Sequence, residues 1–328
     1  MFSELFSIDN LFKAWREFKS GKTGKEDVMY FEYHLENNIF SLYDDIVNSK
    51  YKHSKYKFFQ VFDNKKRDIY KADVRDRVVH QILYKYLLSI YEPLFISDSY
   101  SSRKNKGHHK AVKTFQYFAK IAQFGNFKQI YVLKMDIRKY FDSVDHSILL
   151  RLLEERVLCP KTMNIIKEVI NSFENKSVSG KGIPLGNVTS QVFANIYLHK
   201  MDIYIKNKLK CNLYIRYNDD LLVVVNSYQR LNGIKNEIID YSLKNLKLNI
   251  PKEKTSIKKL RWGVDFLGYV ILPKCVLLRG KTKYKIYSNV NKQNLNSYMG
   301  ILNHCNSHFL KQKIVSKTLI GDDILDLG

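Results

Sequence analysis

Tyr217-Asn218-Asp219-Asp220 sets two adjacent carboxylates between an arginine-led strand, Leu213-Tyr214-Ile215-Arg216, and an apolar one, Leu221 to Val225. Two acids at the tip of a β-hairpin repel each other and add nothing to a core, so the pair makes sense mainly where divalent cations offset it. That points to metal-dependent phosphoryl transfer. A third carboxylate, Asp136, ends the strand-like run Tyr131-Val132-Leu133-Lys134-Met135. A strand end delivers it to a sheet edge, where a neighbouring hairpin tip can bring in another acid. Asp136 and Asp219 can then share two Mg²⁺ ions about 3.5–4 Å apart, with Mn²⁺ as a substitute, one activating an attacking 3′-hydroxyl and the other holding a triphosphate. Taken alone, a strand-terminal Asp is more often a helix cap or turn residue.

Charge supports a phosphate-bearing partner. Among 328 residues, 55 Lys and Arg face 32 Asp and Glu, a formal net charge of +23. Such an excess opposes compaction unless a polyanion offsets it; a Lys- and Asn-rich coding bias is the bland alternative. The cations are interleaved with 23 Tyr and 19 Phe, as expected where bases stack and phosphates are neutralised, although an aromatic core uses the same residues. Cys159, Cys211, Cys275 and Cys305 are scattered without zinc-site spacing and read as buried thiols in a reducing cytoplasm. The first six residues lack a basic leader region and a long apolar stretch, and no run approaches a membrane span, so a soluble, cytoplasmic protein is expected.

The elements that must position the acids can be read from periodicity. Leu11, Trp15 and Phe18 predict a helix that Gly21 stops, and Val28 to Ile46 predicts a second. Lys57 to Phe62 and Arg67 to Ala72 predict a hairpin turning at Asp63-Asn64, with Lys65, Lys66 and Arg67 at its tip. A long helix follows from Asp76 to Tyr91, then a basic loop, Ser101 to Lys110, in which His108 and His109 are expected to face solvent or phosphate. Helices are predicted near 145–157, 160–173, from Val188 and over 228–246. Strands are predicted around Ile257, over Phe266 to Ile271 and over Val276 to Arg279, before a helical tail beyond Tyr287 and an acidic, solvated end at Asp322-Asp323. Strands and helices alternate without a βαβ period, which gives an α+β fold rather than a doubly wound sheet.

Five motifs stand in order: D-x4-F-D (Asp136, Phe141, Asp142), G-x-P-x-G-x3-S-Q (Gly182 to Gln191), Y-x-D-D, L-K-L-N-x3-E-K-T (Leu246 to Thr255) and F-L-G (Phe266 to Gly268). Over roughly residues 55–310 this resembles the reverse transcriptase palm. The resemblance implies a right-hand polymerase fold: an N-terminal helical extension over 1–50, fingers over 51–130, a palm over 131–285 and a small helical thumb and tail over 286–328. It implies metal ligation by Asp136, Asp219, Asp220 and the Ile137 carbonyl. Phe141 becomes the steric gate that excludes a ribose 2′-hydroxyl, and Arg67 the fingers arginine that grips the triphosphate with a bidentate guanidinium. Lys254 matches a lysine proposed to protonate the leaving pyrophosphate, and Phe266-Leu267-Gly268 the primer grip. Lys65, Lys66, Arg75, Arg77 and Arg103 become phosphate or template contacts, each of which could equally be a solvated surface cation.

The glycine loop narrows the resemblance. Most reverse transcriptases carry Gln before its second glycine and Ser-Pro after it; here Leu185-Gly186 and Ser190-Gln191 stand instead, similar to reverse transcriptases of diversity-generating retroelements. There the position of Leu185 lies against the templating base and incoming nucleotide, and an aliphatic side chain removes a polar constraint, so mismatch discrimination weakens, chiefly at template adenines. The resemblance implies template RNA, a cDNA or RNA primer and dNTPs as partners, with a small basic helical-bundle accessory protein, pentameric in that family. It also implies a bacterial, archaeal or phage origin. Asn218 departs from the usual Ala, Val or Met. Competing readings are a retron, group II intron-like or phage-defence reverse transcriptase, or a non-catalytic RNA-binding scaffold.

Overall fold

The computed structural model describes residues 2–63, 65–124, 129–175 and 178–323. Asn64 of the predicted turn, the Lys65 side chain and the side chains of Asp322 and Asp323 lie outside the described set. The chain forms two units, each discontinuous in sequence: residues 1–96, 137–204 and 239–250 make the first, and 97–136, 205–238 and 251–328 the second.

The first unit is mainly helical. The Ile8–Lys19 helix starts where the Ser7 hydroxyl accepts the Asn10 N–H, and it buries Leu11, Trp15 and Phe18, the stripe predicted from spacing. The run over Val28 to Ile46 is two helices, Glu26–Tyr33 and Leu35–Val47, because His34 leaves helical geometry at φ −111° and ψ 33°. Asn38 Nδ2 secures the break on the Phe31 carbonyl, a contact that the apolar period, continuous across the break, gives no hint of. Strands β1 (Lys57–Asp63) and β2 (Lys65–Lys71) form an antiparallel hairpin in which Val61 opposes Arg67. Asp73 caps the Val74–Tyr91 helix, against which the Val188–Ile203 helix packs.

Two expected phosphate contacts are committed within this unit. Arg77 pairs with Asp27, and Arg75 donates to Asp45 at 2.5 Å, so both guanidinia serve tertiary ion pairs. Their carboxylate partners lie far away in sequence, where spacing cannot reveal them.

The second unit holds two antiparallel sheets. In the four-stranded sheet, β3 (Tyr131–Asp136) lies between β5 (Asp220–Val225) and β6 (Thr255–Lys259), and β4 (Tyr214–Tyr217) completes the order β4-β5-β3-β6. A smaller sheet joins β7 (Val264–Phe266), β8 (Tyr269–Ile271) and β9 (Val276–Leu278). Their apolar faces share one core that includes Phe115, Val132, Leu222, Phe266 and Ile314. Phe266 to Ile271, expected as one strand, is instead two strands around Leu267-Gly268, both at positive φ (51° and 85°), the signature of a type I′ hairpin turn. Leucine is an unusual residue for that turn, and its side chain is held against the core.

The C-terminal helices are Gly280–Asn289, Leu295–Leu302 and His308–Asp323, so helix begins before Tyr287. Only Ile286 of the first is buried, too few apolar positions to set a period. His108 and His109 begin the His108–Phe124 helix and do not stand free in a loop. Their rings lie 3.6 Å apart by centroid, and the His304 ring lies 3.7 Å from that of His109, both pairs tilted. Burial pushes the His109 imidazole down to about 4, which leaves it neutral at pH 7. No described helix is long and apolar enough to cross a membrane.

Candidate active site

The acidic pair sits where strand pairing forces it. Residues of β3 and β5 oppose one another from Tyr131 with Val225 to Asp136 with Asp220, so two carboxylates leave adjacent strands at the same end of the sheet. Tyr217 pairs with Asp220, leaving Asn218-Asp219 as a two-residue turn. Asn218 has φ 55°, on the left-handed side, whereas Asp219 does not. Asn218 Nδ2 donates to Asp219 Oδ1 at 3.1 Å.

The carboxylates of the cluster raise one another's proton affinity. Burial, then the neighbouring Asp136 and Asp220 charges, push the Asp219 carboxyl up to about 6. Asp220 is raised in the same direction, by burial first, with Lys134 opposing and Asp136 adding to the effect. Lys254 Nζ donates to Asp136 Oδ1, so the ammonium supplies the local counter-charge. Among the described residues, no three His, Cys, Asp or Glu side chains stand ready-made around a metal ion. The donor chemistry nevertheless suits hard divalent cations, because it concentrates carboxylate oxygens whose mutual repulsion a cation relieves. In the same unit, Phe266 is buried, and the Gly268 carbonyl accepts the Arg279 N–H at 3.0 Å, fixing the Leu267-Gly268 turn.

The first unit gathers a second set of predicted residues. Lys139, at φ 45°, turns the chain into the short helix Tyr140–Ser143, and the Phe141 carbonyl accepts the Ile183 N–H at 2.9 Å. The Leu185 carbonyl accepts the Tyr70 N–H at 3.0 Å, and the Asn187 side chain bonds both Tyr70 O and Ala72 N. The glycine loop is therefore hydrogen-bonded to both the Phe141 turn and β2. A cleft of about 590 Å³ opens there, with Lys66, Arg67, Lys139, Asp142 and Leu185 among its walls. Lys66 and Arg67 are exposed and carry no ion pair among the described residues, unlike Arg75 and Arg77.

Gly186 is needed for two reasons. Its φ is +109°, and a Cβ would approach Ile69 Cγ2 to 2.9 Å. It lines a different cleft, with Phe59, His80 and Asn187, while Gln191 is exposed on the Val188–Ile203 helix and the Ile137 side chain is buried. Asp136, Asp219, Asp220, Lys254 and Phe266 to Gly268 thus belong to one unit, and Arg67, Ile137, Phe141, Leu185, Gly186 and Gln191 to the other.

The family described as reverse transcriptase (RNA-dependent DNA polymerase) matches residues 52–271. The chain belongs to the reverse transcriptase family. The group II intron-encoded protein LtrA of Lactococcus lactis subsp. cremoris is 24% identical over 295 residues, covering 69% of this chain and 47% of that protein. An uncharacterized 91 kDa protein in the cob intron of Schizosaccharomyces pombe is 33% identical over 147 residues, 43% of this chain and 17% of that one. This reverse transcriptase chain therefore spans less than half the length of either. Telomerase from Candida albicans, solved with a TWJ fragment of telomeric RNA, has the same fold over 78% of this chain and 56% of its own, with a TM-score of 0.52 at 14% identity.

Two residues beside the acidic cluster escaped the motif reading. Arg216 is wholly buried below the acidic hairpin, and its Nη1 donates to the Asn218 carbonyl at 3.2 Å. Lys134 Nζ donates to the Asp265 carbonyl at 2.9 Å and lies 3.8 Å from Asp220 Oδ1. Strand alternation could have found Lys134, since residues 134 and 136 share a face of β3; nothing local signals that Arg216 is buried.

The turn geometry also gives Asn218 a purpose. Asn218→Ala should cost about 1 kcal/mol, because a left-handed backbone disfavours Cβ without a compensating side-chain bond, while Asn218→Gly should cost less. Urea denaturation of the two variants checks this, and equal losses would refute it.

Proposed function

We propose that the protein is the RNA-directed DNA polymerase of a diversity-generating retroelement, making error-rich cDNA from a template-repeat RNA for transfer into a variable target gene. The observation that carries this reading is Leu185, an aliphatic side chain in the wall of the cleft that also presents Arg67 and Lys66. Arg67 and Lys66 take the triphosphate charge of the dNTP, and Phe141 excludes a 2′-hydroxyl. Gly186 and Gln191 belong to the template-facing loop and its helix.

Asp136, Asp219 and Asp220, with the Ile137 carbonyl, would hold two Mg²⁺ ions. Such ions supply Lewis-acid activation of the 3′-hydroxyl and neutralise phosphate charge. Lys254 holds a proton beside Asp136 for the leaving pyrophosphate, and Phe266 to Gly268 support the primer end. We assign residues 1–50 to an N-terminal extension, 51–130 to fingers, 131–285 to palm and 286–328 to thumb and tail. A basic helical-bundle accessory protein and a cytoplasmic setting complete the reading; four free cysteines favour the latter, although only Cys211 is buried and the expected burial fails for Cys159, Cys275 and Cys305.

Primer extension on an RNA template with Mg²⁺, followed by sequencing of the cDNA, tests this proposal. Errors concentrated opposite template adenines support it, and uniformly faithful copying overturns the retroelement assignment. Likeness to LtrA over 295 residues favours a second reading, a group II intron-like enzyme. A nearby pair of DNA repeats mismatched mainly at adenines would argue against that second reading. Phe141→Ala should lower discrimination against ribonucleotides about 100-fold, measured as the ratio of kcat/KM for dNTP and rNTP; an unchanged ratio removes Phe141 from the gate.

A further inference from the structure

Strand β6 runs into a basic corner, Lys258-Lys259-Leu260-Arg261-Trp262. Leu260 is buried, and its N–H donates to the Ile130 carbonyl at 2.9 Å. Gly263, at φ +80°, closes the turn with its N–H on the Leu260 carbonyl, and a Cβ there would meet Val270 Cγ1 at 2.7 Å. The corner is therefore held by its backbone, while Trp262 remains 64% exposed.

Two cations flank the indole: Lys259 Nζ is 5.5 Å and Arg261 Cζ 5.9 Å from its centroid. Beside them is a cavity of about 160 Å³ with Gln123, Gln129, Ile130 and Pro273 in its wall and no acidic residue among its lining. An exposed tryptophan between cations, next to a small slot edged by amides, matches the chemistry of an unpaired base with its phosphates. An acidic protein surface would satisfy the cations but would leave the exposed indole face and the amide slot unused.

We propose that this corner is a binding platform for single-stranded RNA, with a base stacked on Trp262 and phosphates on Lys259 and Arg261. Tyr131 pairs with Lys259 at one end of β3, and Asp136 with Asp220 at the other. Five residues of strand, about 17 Å, separate the platform from the carboxylates, so it holds RNA outside the catalytic centre. The inference does not depend on the retroelement assignment.

The chain's two tryptophans make the test direct. Trp15 is buried, so contact quenching reports Trp262. Titration with a 20-nucleotide oligouridylate should give saturable quenching that disappears in Trp262→Phe, and heparin, an anion without bases, should give none. By anisotropy of the labelled RNA, Trp262→Phe should bind within about threefold of wild type and Trp262→Ala about tenfold more weakly. Lys259→Ala with Arg261→Ala should reduce the slope of log K against log salt by about 1.4. Absence of RNA quenching, equal quenching by heparin, or an unchanged salt slope would each overturn the platform; so would unaltered affinity in Trp262→Ala.

Discussion

Asp219→Asn is expected to stabilise the metal-free protein at pH 7.5 while lowering nucleotide incorporation by about 10³-fold or more, the scale reached when a group that stabilises transition-state charge is lost. Burial and two neighbouring carboxylates hold Asp219 up at about 6, against 3.8 for an ordinary aspartate. The folded protein therefore keeps this proton to higher pH than the unfolded chain does. Below the unfolded value both states are protonated and there is no penalty. As pH rises towards 6 the penalty grows, and above it the fold bears an uncompensated charge worth about 3 kcal/mol.

Asparagine removes that charge and retains an oxygen for Asn218 Nδ2. The melting temperature in EDTA should rise by about 5 °C at pH 7.5 and by much less at pH 4.5. Mg²⁺ should stabilise the wild type more than the variant. An equal gain at both pH values would mean that the carboxylate cluster is not the source of the instability.

Leu185→Gln carries the second large effect. Its carbonyl is fixed by the Tyr70 N–H and its loop by Asn187, so the substitution changes the side chain without releasing the backbone. An amide of similar length restores donors and acceptors to the cleft wall, and sites that require a hydrogen bond discriminate far better than apolar ones. Misincorporation opposite template adenine should fall 10- to 100-fold, read by sequencing cDNA from both enzymes on one RNA. If the error spectrum does not move, Leu185 is not the fidelity determinant.

Residues whose role is set locally were the legible ones. Asp136 ends a strand recognisable by its apolar run, Ser7 caps a helix whose stripe is complete, and the acidic hairpin declares itself by charge. What stayed hidden depends on distant partners. Arg75 and Arg77 look like free phosphate ligands until Asp45 and Asp27 are brought to them. The His34 break interrupts an unbroken apolar period, and the ring contact of His109 with His304 joins segments far apart in the chain. Arg216, the largest wholly buried cation among the described residues, reads in sequence as part of an ordinary strand.

The path of the chain also bears on synthesis. It passes from one unit to the other after residues 96, 136, 204, 238 and 250. The first unit lacks its last segment until residue 250 has left the ribosome, and the second until the C-terminal helices have followed. A nascent chain stopped at residue 200 would hold the Arg67 hairpin and Leu185 but neither Asp219 nor Asp220. Folding intermediates on the ribosome should accordingly be open and protease-sensitive until late in translation, with no completed unit released early.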